Sequence, residues 1–422
     1  MQRLEEKGKG TISGEPDIVP FLCVYHNFCV EISIHCRGKV VASHKNTKYN
    51  EGNEKKGGNP VKNSERTEMM TQISARQWDF VTQDNLSARE AVAFLLHGMQ
   101  LRTFRDILRQ VCGREDLEKE LAEGLCALNE TAQPDSIRRK VRNWMNGKNL
   151  PTEREDVYQI CFALTLNQEQ SDRMLTLLTD QGIHYRDPKE LVYAYALRYR
   201  LGYPYACQLA EQFANRRKGD SHKDPVTQLL RQSFQSVKAE EDLFSFLLRH
   251  QGMMGSNNNT AYSYFCKMLT LLTGEELEGE EQYSMEYVAE TYLRLNVPQD
   301  KKTSRYTDIQ KIVKKYWPGA RSIKAMKSRS EDVTRKTLLL MYLVTGGVWE
   351  QDYDELDESY IQPREFLETH CKRMNKMLRE CGMRRIDPRN VFDYLVLYCL
   401  RPEDELFMSD RMAQLAAEIF NT

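Results

Sequence analysis

The sequence lacks any tract in which apolar and polar residues alternate for long enough to build a large sheet. Helix breakers are scarce: 22 glycines and 13 prolines are spread over 422 residues, in a chain rich in Leu, Glu, Lys, Arg and Met. Together with 41% hydrophobic and 29% charged residues, this predicts a globular all-α protein, long enough for two or three domains that each bury a core. The eleven cysteines include no C-x-x-C pair, which argues against a zinc ribbon or a redox dithiol and fits reduced, buried thiols in a cytoplasmic protein. Surplus charge is also missing. A formal net charge of −1 excludes a global pull toward nucleic acid, so such binding has to come from local clusters. No phosphate-cradling glycine loop, H-E-x-x-H or G-x-S-x-G occurs, so neither an enzyme nor a cofactor is expected.

The first seventy residues differ in character from the rest. "FLCVYHNFCVEISIHC" is too short and too polar to span a bilayer, and it lacks the layout of a secretory signal. Cys23, His26, Cys29, His35 and Cys36 cluster there, but in a spacing that matches no zinc knuckle. The polar, Gly/Asn-rich stretch that follows reads as a disordered linker. Residues 1–70 are therefore expected to be a disordered extension, or residues upstream of a true start at Met69 or Met70.

Residues 134–166 carry the strongest local signal. Pro134-Asp135-Ser136 predicts a helix start with Asp135 as its cap, and the helix should run to about Met145. Ile137, Val141 and Trp144 form one apolar stripe at helical spacing. The opposite face carries Arg139, Arg142, Asn143 and Asn146, flanked by Arg138 and Lys140. Gly147 should end the helix, and Pro151-Thr152 should restart one with Val157, Ile160 and Leu164 on a single face. The set Val141, Trp144, Asn146-Gly147-Lys148 and Pro151, followed by a helix ending in "ALTL", resembles the third and fourth helices of lambda-repressor-like helix-turn-helix proteins of the xenobiotic-response-element type. "SAREAVAFLLHGMQLRTFRDILRQVCG" and "EDLEKELAEGLCAL" would then be its first two helices. The resemblance implies that Arg138, Arg139, Arg142 and Asn143 read bases and that Asn146 and Lys148 hold phosphates. Their chemistry suits those tasks independently, because arginine can donate two hydrogen bonds to guanine and asparagine can pair with adenine.

A second signal is internal. Residues 173–200 and 373–400 match without a gap at Leu178/Leu378, Gly182/Gly382, Asp187-Pro188/Asp387-Pro388 and Leu197/Leu397. Each stretch reads as a helix, a glycine stop, a turn in which the Asp caps the next helix, and an apolar helix. Upstream, Met326, Arg335, Leu338 and Met341 line up with Met145, Arg154, Val157 and Ile160. In that register the preceding helix is out of phase, with Ala325 where Trp144 stands and Ile323 where Arg142 stands. Residues 301–330 hold ten Lys or Arg against one acidic residue, Asp308. Lys314, Lys315, Arg321, Lys324, Lys327 and Arg329 are the candidate second DNA contact.

The sequence thus predicts an all-α chain with a helix-turn-helix domain and hairpin at 71–202, a central helical region at 203–300, and a degenerate copy at 301–422. The expected role is that of a cytoplasmic, sequence-specific binder of double-stranded DNA, of the bacterial transcriptional-regulator kind. The central helices are the expected site of a homodimer or protein contact, and no membrane contact is expected. A helical protein–protein scaffold on the same framework is the competing expectation, since the chain is near-neutral and much of it lies outside the reading unit.

Overall fold

A computed structural model describes residues 72–83, 85–114, 116–129, 131–216, 227–255, 258–274, 283–300, 305–347, 363–401 and 406–421. The expectations for residues 1–70 lie outside them. The described residues are all-helical, with nineteen α-helices and no strands, and they belong to one compact unit. No described helix is long and apolar enough to cross a membrane.

In chain order the helices are α1 (Gln72–Val81), α2 (Ala88–His97), α3 (Phe104–Cys112), α4 (Glu118–Leu128), α5 (Pro134–Met145), α6 (Arg154–Ala163), α7 (Gln168–Thr179), α8 (Pro188–Arg198), α9 (Tyr203–Arg216), α10 (Thr227–Phe234) and α11 (Glu240–Arg249). After these come α12 (Asn259–Thr273), α13 (Met285–Val288, continued by a π turn at Ala289–Leu293), α14 (Asp308–Lys314), α15 (Ala320–Lys327), α16 (Arg335–Val344), α17 (Pro363–Glu380), α18 (Val391–Cys399) and α19 (Met408–Asn421). Local chemistry sets many of the starts. Reciprocal capping boxes at Ser87/Glu90, Thr103/Asp106, Asn167/Gln170 and Thr307/Gln310 satisfy first-turn N–H groups that otherwise have no partner.

These helices enclose two apolar cores, and the chain visits them in an order the sequence did not suggest. One core draws on residues 104–254. The other joins residues 81–95 to residues 261–419. Residues 87–113, expected as one helical unit, therefore split: α2 serves one core and α3 the other. Tyrosines of α18 hold α2 in place, with Tyr394 Oη donating to the Ala91 carbonyl and Tyr398 Oη to that of Leu86, each at 3.1 Å. The boundary expected near residue 202 falls inside the first core, because Ala206, Leu209, Phe213 and Phe246 pack with the helices before them.

The two cores are joined chiefly through the turns after α7 and α17. Gln181 and Met383 form an antiparallel bridge, flanked by Gly182 N–H to the Gly382 carbonyl at 3.3 Å and Arg384 N–H to the Asp180 carbonyl at 2.8 Å. Arg384 also pairs with Asp180 at 2.6 Å. On the same join, Arg389 reaches Asp106 at 2.6 Å and the carbonyls of Gln100 and Leu101, and Arg102 pairs with Asp387 at 2.9 Å. Gly182 is required for its small size, since a Cβ there would lie 2.4 Å from Asp172 Oδ1, which accepts the Ile183 N–H. The helix stop expected at Gly182 is instead at Asp180, whose φ of 64° ends α7.

Candidate nucleic-acid interface

Helix α5 is built as the sequence suggests on its inner face and differently at its start. Pro134 occupies the first turn, where a missing N–H costs nothing, but the N-cap is Gln133, without a side-chain hydrogen bond. Asp135 lies one residue inside the helix and pairs with Arg138 at 3.1 Å instead of capping. Ile137, Val141, Trp144 and Met145 are buried, and the Trp144 ring meets Phe104 of α3 edge-on at 6.0 Å. Trp144 is thus the anchor that fixes which face of α5 looks outward.

The end of α5 is equally well fixed. Gly147, at φ +70°, donates to the Trp144 carbonyl, and the Lys148 N–H reaches back to Asn143 at 3.0 Å. These two bonds form a Schellman motif, which consumes carbonyls the helix would otherwise leave open. Arg105 of α3 donates to the Met145 carbonyl at 3.1 Å and closes a third. Helix α6 begins at Arg154, three residues after the buried Pro151 and later than expected.

On the outer face Arg139 and Arg142 are exposed, and among the described residues neither side chain has a hydrogen-bond or ion-pair partner. Arg138 is exposed but engaged by Asp135, Asn143 is half-buried, and Asn146 and Lys148 are exposed at the turn. Lys140 is drawn aside by Asp156 at 2.7 Å and lies 5.1 Å over the Trp144 ring. Among the described residues the cations of α5 without a partner are therefore Arg139 and Arg142, three residues apart and exposed.

The basic region at 305–330 resolves into two groups. Lys314 leaves the exposed set: it pairs with Asp300, lies 4.6 Å over the Tyr306 ring, and its side chain is only 14% exposed. Lys315 is exposed beside Tyr316. Arg321, Lys324, Lys327 and Arg329 are exposed on α15 and at its end, with Lys324 paired to Glu286. Arg329 has φ 58°, and its N–H donates to Met326 while that of Ser330 donates to Ala325 at 2.9 Å. The same pair of bonds therefore closes α15 as closes α5. Counting back from the left-handed residue, Met326 stands where Trp144 does and Ile323 where Val141 does, and all four are buried. The phase mismatch expected from the sequence disappears because the turn after α15 is one residue shorter than the turn after α5.

An ion pair follows each of these helices, buried after α15 and partly exposed at the arginine after α5. Arg154, first in α6, grips Glu190 with two bonds of 2.6 Å and donates to the carbonyls of Gln181 and Gly182. Tyr158 Oη and the His184 N–H complete the shell of Glu190. Burial would raise the Glu190 pKa, but the hydrogen bonds and charge of Arg154 outweigh it and hold the carboxyl below its usual range. Arg335, first in α16, grips Asp393 at 2.6 and 2.9 Å and donates to the carbonyls of Arg384 and Arg385. Glu190 and Asp393 are each the third residue of their helices, α8 and α18. In the gapless register of the sequence Asp393 stands against Tyr193, so this correspondence is visible only in the fold. That register also predicts a cap at Asp387, whereas Asn390 caps α18 and Asp187 alone caps its helix.

Burial pushes the His184 pKa down, and the carboxylate of Asp187 accepts the N–H groups of Lys189 and Glu190 as a cap. Among the described residues no group of three His, Cys, Asp or Glu is placed to hold a metal ion, and the cluster at residues 23–36 lies outside them. No family model, curated protein or solved structure matches the chain.

Proposed function

We propose that this chain is a DNA-binding protein that presents α5 to the major groove, with Arg139 and Arg142 reading base edges and Asn146 and Lys148 holding phosphates at the turn. The observation that carries the reading is a pair of exposed arginines, without partners among the described residues, on the outer face of a helix whose inner face and C-terminal end are both locked. A solvated arginine on a fixed helix has little of its side chain tied up before binding, and it can donate two parallel hydrogen bonds to guanine O6 and N7. Arg138 and Asn143 are secondary members: Asp135 competes for the former, and the latter is half-buried.

The test is selection of bound duplexes from a random-sequence pool by the full chain, followed by titration of the recovered sequence at several salt concentrations. A shared motif is expected, with affinity falling steeply as salt rises because phosphate contacts release counterions. Arg139→Ala/Arg142→Ala should cost about 2–6 kcal/mol of specific binding, or roughly 30-fold at the least. Its unfolding should match the parent, since neither side chain packs. A well-folded double variant that binds as tightly as the parent would overturn the assignment. A pool with no enrichment and no salt dependence would favour the protein-scaffold reading.

A further inference from the structure

The helix α15 and its surroundings reproduce the device built around α5, yet nothing in the reading above uses them. Four observations coincide. Both helices end in the same pair of backbone bonds, at Gly147/Lys148 and Arg329/Ser330. Both bury the residues three and six positions before the left-handed residue. Both are followed by a helix whose first residue is an arginine chelating a carboxylate at the third position of a later helix. Finally, the turns that follow α7 and α17 pair with each other reciprocally: residues 180–182 and 382–384 each lend the other an N–H around the Gln181–Met383 bridge. Reciprocal pairing of like turns is the signature of an isologous contact, here made within one chain.

In the register set by the left-handed residues, Arg321 stands where Arg139 does and Lys324 where Arg142 does, so the two outward cations recur. The rest of the surface differs. Ala320 replaces Arg138, Ala325 replaces Asn143, Ser328 replaces Asn146 and Ser330 replaces Lys148. Arg321, like Arg139, has no side-chain partner among the described residues. Lys324 is held by Glu286, an exposed pair that solvent and salt weaken.

We infer that a single copy of this chain engages two half-sites of different sequence, α5 reading one and α15, through Arg321 and Lys324, reading the other across the dyad at Gln181–Met383. The inference rests on the proposed DNA reading of α5. Paired reading helices of identical subunits require a palindromic site, because symmetry gives both halves the same side chains. Fusing the two units into one chain removes that constraint, and the differing side chains here use the freedom. The second half-site is recognised by fewer bidentate donors, so its sequence is less restricted. A lysine in place of Arg142 supplies a point charge without a planar fork.

The experiment uses the full chain and the duplexes it selects from a random pool about 40 base pairs long, enough for two half-sites a helical turn or two apart. Hydroxyl-radical footprinting and the mass of the complex are read together. The expected result is two protected segments on one DNA bound by one chain, with unlike sequences in the two. Arg321→Ala/Lys324→Ala should lose the second segment, keep the first and weaken binding roughly tenfold or more. Arg321→Glu is the second variant, because that side chain is exposed and has no hydrogen-bond or ion-pair partner among the described residues; equal unfolding midpoints establish that the fold is intact. A single protected segment in the parent, two segments that need two chains, or unchanged footprints in both variants would overturn the inference and leave the α5 reading standing. No protected segment at all would overturn both.

Discussion

Replacing Asp393 with Asn should destabilise the second core by about 3–5 kcal/mol, the cost of stranding a buried charge after its partner is removed. The carboxylate is fully buried and the Arg335 side chain is 5% exposed. Asp393 accepts from Arg335 at 2.6 and 2.9 Å and from the Asp387 N–H at 2.9 Å. Asparagine keeps one oxygen but turns an N–H₂ group toward either the guanidinium or the Asp387 N–H, donor against donor, and it leaves the positive charge without a counterion. Urea unfolding at neutral pH is the assay. With a slope of about 2 kcal/mol per molar for a unit of this size, the midpoint should fall by roughly 1.5–2.5 M. Two comparisons sharpen the test. Arg335→Met/Asp393→Leu removes both charges together and should recover much of the loss, short of the parent because the carbonyls of Arg384 and Arg385 lose a donor. Asp156→Ala, which breaks a partly exposed pair with Lys140, should cost no more than about 1 kcal/mol. An Asp393→Asn midpoint within error of the parent would refute the claim that this pair anchors α16 to the turn joining the cores.

Trp144→Ala, which empties the space against Phe104, should cost about 3–5 kcal/mol by denaturant unfolding and loosen α5. Gly147→Ala meets no atom within 4 Å, so its cost should be only that of a left-handed conformation, about 1–2 kcal/mol in the same assay. Acid sensitivity should trace in part to His370, which burial, reinforced by Arg373, pushes down to about 4 while its Nδ1 bonds Tyr342 Oη at 2.7 Å. Because the folded pKa lies below the ordinary 6.5, the unfolded chain binds the proton first. Stability should therefore decline as pH falls from about 6.5 toward 4, by about 3 kcal/mol in total. His370→Gln should flatten that part of a stability-against-pH curve measured by urea unfolding.

The division of the chain into two cores also gives the inter-core join a defined composition. It relies on backbone pairing at residues 180–182 and 382–384, and on arginines 102, 384 and 389, rather than on one continuous apolar face. Arg154 and Arg335 each donate to carbonyls of these turns or their neighbours, so the helix that follows each basic helix is tied directly to the join. A change in the relative placement of α5 and α15 would therefore have to disturb one of these two ion pairs.

How much of this was legible in sequence depends on the range of the interaction concerned. The all-helical class, the apolar stripe of α5 with Trp144 inward, and the glycine that ends that helix are local properties. They follow from side-chain period and backbone sterics within a turn or two, and the sequence alone determined them. Other features depend on partners far along the chain. That α2 belongs to the core of residues 261–419 is decided by hydroxyls of Tyr394 and Tyr398, some three hundred residues away. That Lys314 is withdrawn while Arg321 is exposed is decided by Asp300, which pairs with Lys314. The likeness of α15 to α5 was hidden because a one-residue difference in a turn shifts every helical phase after it. Alignment by identity cannot see that shift, whereas hydrogen bonding to fixed carbonyls restores it. The Glu190–Asp393 correspondence was lost for the same reason. Charge pairing selects the position in a helix that reaches the arginine, and only tertiary structure decides which residue occupies it.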